Sequence, residues 1–202
     1  MNWQEFTALL ILTLAMSFSP GPNTTLATAL AANHGIRRTL PFICAVPVGW
    51  AALLAVCTLG IGALVLAVPL LAWAVKLVGL AYLLWLAWKI ARSHQLRAAV
   101  APLQVTFWQG AALQFVNIKA WMLALAIVSG WIAGRANPGL RFAVVLGVML
   151  VFAFSSNLSY ALAGSLLRDW LAGPAGSGRR LMWFNRAMAA VLVATAFWML
   201  FV

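Results

Sequence analysis

The sequence predicts an all-α integral membrane protein, with six transmembrane helices arranged as two inverted three-helix repeats and an interrupted first helix. Three observations predict it. Of 202 residues, 65% are hydrophobic and 7% charged, with a mean hydropathy of +1.02; a soluble domain carries about 25% charged residues. The apolar residues fall into six stretches, each near the roughly 20 residues a membrane crossing needs. Polar groups interrupt the first and fourth stretches at membrane depth, where such groups must find partners or a cavity.

The first span, roughly 6–31, is broken by Ser19-Pro20-Gly21-Pro22-Asn23. Neither proline has an N–H, and each clashes with the preceding turn. Thr24 and Thr25 follow in the first turn of the second half-helix, whose free donors and positive end attract carboxylates. A packing kink is the alternative reading of the same residues. The second span, 40–66, holds Cys44 and Cys57. They are thirteen positions apart, about 20 Å along a helix, so they cannot pair and read as small packing residues.

Pro69 marks a tight turn into the third span, 70–91. Lys76 near its start can snorkel, or line a cavity. Residues 92–106 form the longest polar connection and divide repeat one, about 1–91, from repeat two, about 107–202, within a single transmembrane domain.

The fourth span, 107–133, carries Gln109, Gln114, Asn117 and Lys119. Lys119 lies about 18 Å into it, too deep for easy snorkelling. It reads either as a substrate or gating group or as a tie to carbonyls freed by the first break. The fifth span, 139–166, follows the turn Asn137-Pro138-Gly139. It contains Ser155, Ser156, Asn157, Ser159 and Tyr160, which suit interhelical hydrogen bonding or cavity lining. Gly173-Pro174-Ala175-Gly176-Ser177-Gly178 is a loop before the sixth span, 182–201.

Charge sets orientation. Connections after spans one, three and five carry Arg37, Arg38, Lys89, Arg92, Arg97, Arg168, Arg179, Arg180 and Arg186; the other side carries Arg135 and Arg141. The positive-inside rule then places both termini outside. The +11 net charge is spread through loops and lacks a basic run, which argues against nucleic acid and for anionic headgroups. Met1-Asn2-Trp3-Gln4-Glu5 has no positive region of a cleavable signal peptide.

The two acids, Glu5 and Asp169, stand at span ends, and His34 and His94 at loops. No carboxylate relay fits within the membrane. No metal-ligand cluster, cofactor site, catalytic pair or P-loop spacing is legible, so the sequence argues against an enzyme. From the residues alone the chain is a secondary transporter with a midplane site for a small polar ligand, built as inverted-repeat carriers are.

These motifs resemble the LysE/RhtB superfamily of bacterial amino-acid exporters over essentially the full length. Pro20-Gly21-Pro22-Asn23 is similar to the family's signature, as are His34-Gly35-Ile36-Arg37-Arg38 and Lys76-Leu77-Val78-Gly79-Leu80-Ala81-Tyr82-Leu83. Asn117-Ile118-Lys119 falls where the family has Asn-Pro-Lys. Loss of that proline predicts a milder second interruption, acting through side-chain polarity. Phe107-Trp108, Ala112–Lys119 and Leu86–Ala91 look more specifically like the cysteine/O-acetylserine exporter branch.

The resemblance implies export of small neutral amino acids or derivatives across the bacterial inner membrane. Pro20, Gly21, Pro22, Asn23, Thr24, Gln114, Asn117 and Lys119 are the expected substrate-binding residues. Lys76, Asn157 and Tyr160 are candidate cavity-lining residues. The expected partners are an amino acid and the lipid bilayer, and a homo-oligomer is compatible with both. A channel or exporter for another small metabolite, or a non-transport membrane module, stays open.

Overall fold

A computed structural model describes residues 1–93, 105–173 and 178–201. His94, Arg97, most of the 92–106 connection and the centre of the 173–178 loop lie outside the described residues.

The described chain is helical. Helix α1 spans Trp3–Phe18 and α2 spans Pro22–His34, separated by an extended break. Helix α3 covers Ile36–Thr58, α4 Ile61–Ala67 and α5 Pro69–Ala91. Helix α6 covers Phe107–Val116, and α7, Ile118–Ile127, continues into a π-helical turn at Val128–Ile132. Helix α8 is Pro138–Leu166, α9 Arg168–Ala172 and α10 Arg179–Trp198.

Four helices are long and apolar enough to cross a membrane: α3, α5, α8 and α10. A fifth crossing is formed if α6 and the α7 segment, bent by 70°, count as one. Of the six expected helices, the second, third, fifth and sixth therefore meet this length and composition, the fourth does so as a bent pair, and the interrupted first is divided between α1 and α2. The first span does not form one helix, because two prolines within three residues each remove a backbone donor and clash with the preceding turn. Its halves also part company in environment. Helix α1 is a short apolar helix packed mainly on α8, with Trp3, Ile11 and Leu14 exposed. Helix α2 is buried on nearly every side by α3, α8 and α10.

The expected second span is also shortened. Helix α3 stops at Thr58, because Gly60 takes a left-handed conformation (φ 84°), and α4 starts afresh. Pro69 and Pro138 open α5 and α8 at their first positions, where a missing N–H is harmless.

Helix α2 packs on α8 as α6 packs on α3, and α3 crosses α8 while α5 crosses α10. Two glycines permit the closest approaches. A Cβ on Gly49 of α3 would run into the Ala111 backbone of α6, and one on Gly164 of α8 into the Thr28 backbone of α2. Buried Leu26, Leu30, Phe42, Ile43, Leu53, Leu83, Leu113 and Ile127 fill the space between these crossings.

The two ends of the bundle differ chemically. At one end Glu5 meets Arg141 at 3.1 Å and Arg135 at 3.5 Å, and Trp131 Nε1 donates to the Glu5 carbonyl. At the other, buried Asn33 and Asn185 exchange amide hydrogen bonds of 2.8 and 3.0 Å and both reach Ser93. Cations there lie over tryptophans: Lys89 on Trp85, Arg92 on Trp88, Arg180 on Trp170 and Arg186 on Trp183. Such pairs suit a membrane–water boundary.

Candidate functional site

Both breaks open onto one cavity. In the first, Ser19 and Gly21 are extended, and Pro22 begins α2. Thr24 Oγ1 accepts from the Gly21 N–H at 3.0 Å and donates to the Gly21 carbonyl at 3.1 Å, which closes the turn. The N–H groups of Asn23 and Thr24 have no carbonyl one turn back within α2, so they form its donor end.

The second break is a full interruption. Asn117 is extended (φ −99°, ψ 98°) between α6 and α7. The expectation that loss of proline leaves only side-chain polarity at this position is therefore corrected. Tertiary contacts replace proline. Trp121 Nε1 donates to the Phe115 carbonyl at 2.9 Å, one of the acceptors freed at the end of α6. Gly79 of α5 lets the Val116 carbonyl approach where any Cβ would collide with it. The Asn117 carbonyl takes the Ala120 N–H at 2.8 Å to start α7.

Each break is clasped by the other. Asn23 and Lys119 are both the second residue of the helix after a break. Asn23 Nδ2 donates to Gln114 Oε1 at 2.9 Å, and Gln114 Nε2 returns a bond to Asn23 Oδ1 at 3.1 Å. Lys119 Nζ donates to Ser19 Oγ at 2.5 Å, and that hydroxyl donates to the Met16 carbonyl at 3.0 Å. A Cβ on Gly21 would lie 3.6 Å from Lys119 Nζ. The lysine thus rests against the first break. Among the described residues its polar partner is this hydroxyl, and the ion pairs are those of Glu5.

The cavity has a volume of about 60 Å³, room for a few waters at roughly 10–15 Å³ each on this measure. Gly21, Pro22, Asn23, Thr24, Asn117, Lys119 and Asn157 line it, with Ser19, Ser156, Val46, Trp50 and Leu123. Two of the lining residues, Asn117 and Asn157, each carry a buried Oδ1 with no hydrogen-bond partner among the described residues. Asn157 Nδ2 is meanwhile fixed to the Ala153 carbonyl at 2.8 Å.

The remaining expected residues fall outside it. Gln114 is wholly buried behind Asn23. Pro20 is exposed. Tyr160 does not line the cavity; its hydroxyl donates to the Phe18 carbonyl at 2.9 Å and holds the end of α1. Lys76 is far from it, with Nζ 3.5 Å from the Leu200 carbonyl and over Trp73. A larger hollow of about 430 Å³ lies at the exposed ends of α1 and α8, lined by Trp3, Phe6, Leu140 and Arg141, and draws no residue from either break. Sequence reading missed Trp50, Val46 and Leu123 as the apolar wall, and Trp121 and Gly79 as makers of the second break. As isolated apolar residues in apolar helices they carry no signal.

Two broken helices facing one polar cavity inside an apolar bundle define a membrane translocator. The chain belongs to the LysE type translocator family, whose profile matches residues 14–201. It is similar to the cysteine/O-acetylserine efflux protein of Klebsiella pneumoniae subsp. pneumoniae, 30% identical over 190 residues, covering 94% of each chain. Proteins of the same name from Salmonella paratyphi A and Escherichia coli O1:K1 are 31% and 32% identical, over 77% of this chain and 80% of theirs. No solved structure matches the chain.

Proposed function

We propose that this protein is a secondary transporter, and not an enzyme, that exports small neutral amino acids or close derivatives from the cytoplasm across the bacterial inner membrane. Cysteine and O-acetylserine are the first candidates, since relatives at about 30% identity are named for their efflux. One observation carries the reading: the amino ends of α2 and α7 and the Lys119 ammonium converge on a single half-open cavity. Donor-rich helix ends and a cation favour a carboxylate there. Lys119 now holds Ser19. A substrate carboxylate would take the place of that hydroxyl, releasing the end of α1.

We read the whole chain as one transmembrane domain of two inverted repeats, with the α1–α2 pair and the α6–α7 pair as equivalent broken crossings. The matched packing of α2 on α8 and α6 on α3 supports this, as do the self-paired crossings of α3 with α8 and α5 with α10. The short helices α4 and α9 follow equivalent crossings. The arginine-rich end is then cytoplasmic and both termini are outside.

The test is counterflow in proteoliposomes. Vesicles loaded with cysteine or O-acetylserine should take up labelled substrate faster than empty ones. Uptake indifferent to the trans substrate would make the protein a channel. No uptake of any amino acid would end the exporter reading.

A further inference from the structure

The proposed site accounts for a carboxylate and leaves two features of the cavity unused. Asn117 and Asn157 are 4% and 3% exposed, and both line the cavity. Each has a buried Oδ1 without a partner among the described residues. Buried amide oxygens are rarely left so, because an acceptor taken out of water without a partner loses its hydration for nothing. They also come from different places: one from the extended break between α6 and α7, the other from the middle of α8. The bond from Asn157 Nδ2 to the Ala153 carbonyl points its amide donor away and commits its oxygen elsewhere.

We propose that Asn117 Oδ1 and Asn157 Oδ1 form the seat of the substrate's ammonium group, so that the transporter selects for a free amino group beside the carboxylate. The inference rests on the amino-acid exporter reading. An ammonium entering this cavity meets Lys119 and the positive ends of two helices, and the chain's two acids lie elsewhere, Glu5 on Arg135 and Arg141 and Asp169 in α9. Neutral oxygens are then the acceptors that make its entry favourable. They also set charge selection. A zwitterion satisfies Lys119 and both oxygens together. A simple amine leaves Lys119 facing a second cation, and a simple acid leaves both oxygens unmet. The substrate side chain is directed to Val46, Trp50 and Leu123.

The test measures binding to the purified full-length protein in detergent. The probes are O-acetylserine, its des-amino analogue 3-acetoxypropionate, and O-acetylethanolamine, which lacks the carboxylate. Wild type should prefer O-acetylserine to 3-acetoxypropionate by about tenfold or more, the value of hydrogen bonds to a charged group. N157L should lose most of that preference by weakening O-acetylserine alone, whereas K119A should weaken both carboxylates. N157D is the second variant, in case leucine disturbs folding. Its carboxylate should keep O-acetylserine binding and add measurable affinity for O-acetylethanolamine, a gain that a merely structural asparagine would not give. Full preference for the amino group in N157L, or no amine gain in a folded N157D, overturns the ammonium seat and leaves the exporter reading standing. Wild type that binds neither O-acetylserine nor cysteine overturns the ammonium seat together with both first candidate substrates.

Discussion

The two breaks do the same geometric work by different chemistry. The first is written locally: Pro20 and Pro22 remove donors, and Thr24 closes the turn on Gly21. The second has no proline. It is imposed by neighbours, with Trp121 capping the Phe115 carbonyl and Gly79 admitting the Val116 carbonyl. A local break persists when its surroundings change, whereas an imposed one depends on each contact that imposes it. The residues after the breaks differ too. Asn23 joins a neutral amide pair with Gln114, while Lys119 brings a charge to a cavity without an acid.

That last contrast gives the largest expected effect. Lys119→Met should raise KM for export by about ten- to a hundredfold, from losing a hydrogen bond between charged groups worth about 1.5–3 kcal/mol. Asn23→Ala should cost less, about fivefold, since a neutral hydrogen bond such as those it makes with Gln114 is worth about 1 kcal/mol. Vesicle efflux with matched membrane expression checks both. Equal and small effects would remove Lys119 from the site.

The second contrast concerns the breaks themselves. Gly79→Ala forces a methyl against the Val116 carbonyl and should destabilise by about 1–3 kcal/mol, as overpacking does. Trp121→Phe leaves the Phe115 carbonyl without its donor, a loss of about 1–3 kcal/mol. Pro22→Ala should change stability by under about 1 kcal/mol, because Pro20 and the Thr24 cap remain and the first helical position tolerates either residue. Thermal unfolding in detergent ranks the three. A Pro22→Ala loss equal to that of Gly79→Ala would mean that neighbours impose the first break as well.

The same difference explains what could be read in advance. Ser19-Pro20-Gly21-Pro22-Asn23 announces itself because prolines act on their own backbone, wherever they are. The convergence of Asn23, Asn117, Lys119 and Asn157 was legible because polar residues at membrane depth have few other uses. The full break at Asn117 was not, since Trp121 and Gly79 act through tertiary contact and look like ordinary apolar helix. Lys76 and Tyr160 misled for a related reason. Depth along a span says nothing about which face of the bundle a side chain joins, and these two reach the turn after α10 and the end of α1. The early stop of α3 hangs on Gly60, one glycine among fifteen.

The smallest expected effect is at the amino-terminal tie of α1, where the local and tertiary devices meet in one residue. Glu5 caps its own helix through Asn2 and pairs with Arg141 and Arg135. The hydrogen bond from the Asn2 backbone, then Arg141 and Arg135, hold its carboxyl below the ordinary carboxylate range, against the opposing pull of burial. A depressed folded pKa means that Glu5 contributes stability in full above its unfolded pKa and loses it as pH falls through the lowered folded value. The melting temperature of wild type should therefore exceed that of Glu5→Gln by a small, constant margin at neutral pH, and the two curves should converge only below the ordinary carboxylate range. The pair is partly exposed, so the gap should also shrink in high salt. A gap that closes near neutral pH, or ignores salt, would show that α1 is held by its inner end, through Tyr160 and Lys119, and hardly at all by Glu5.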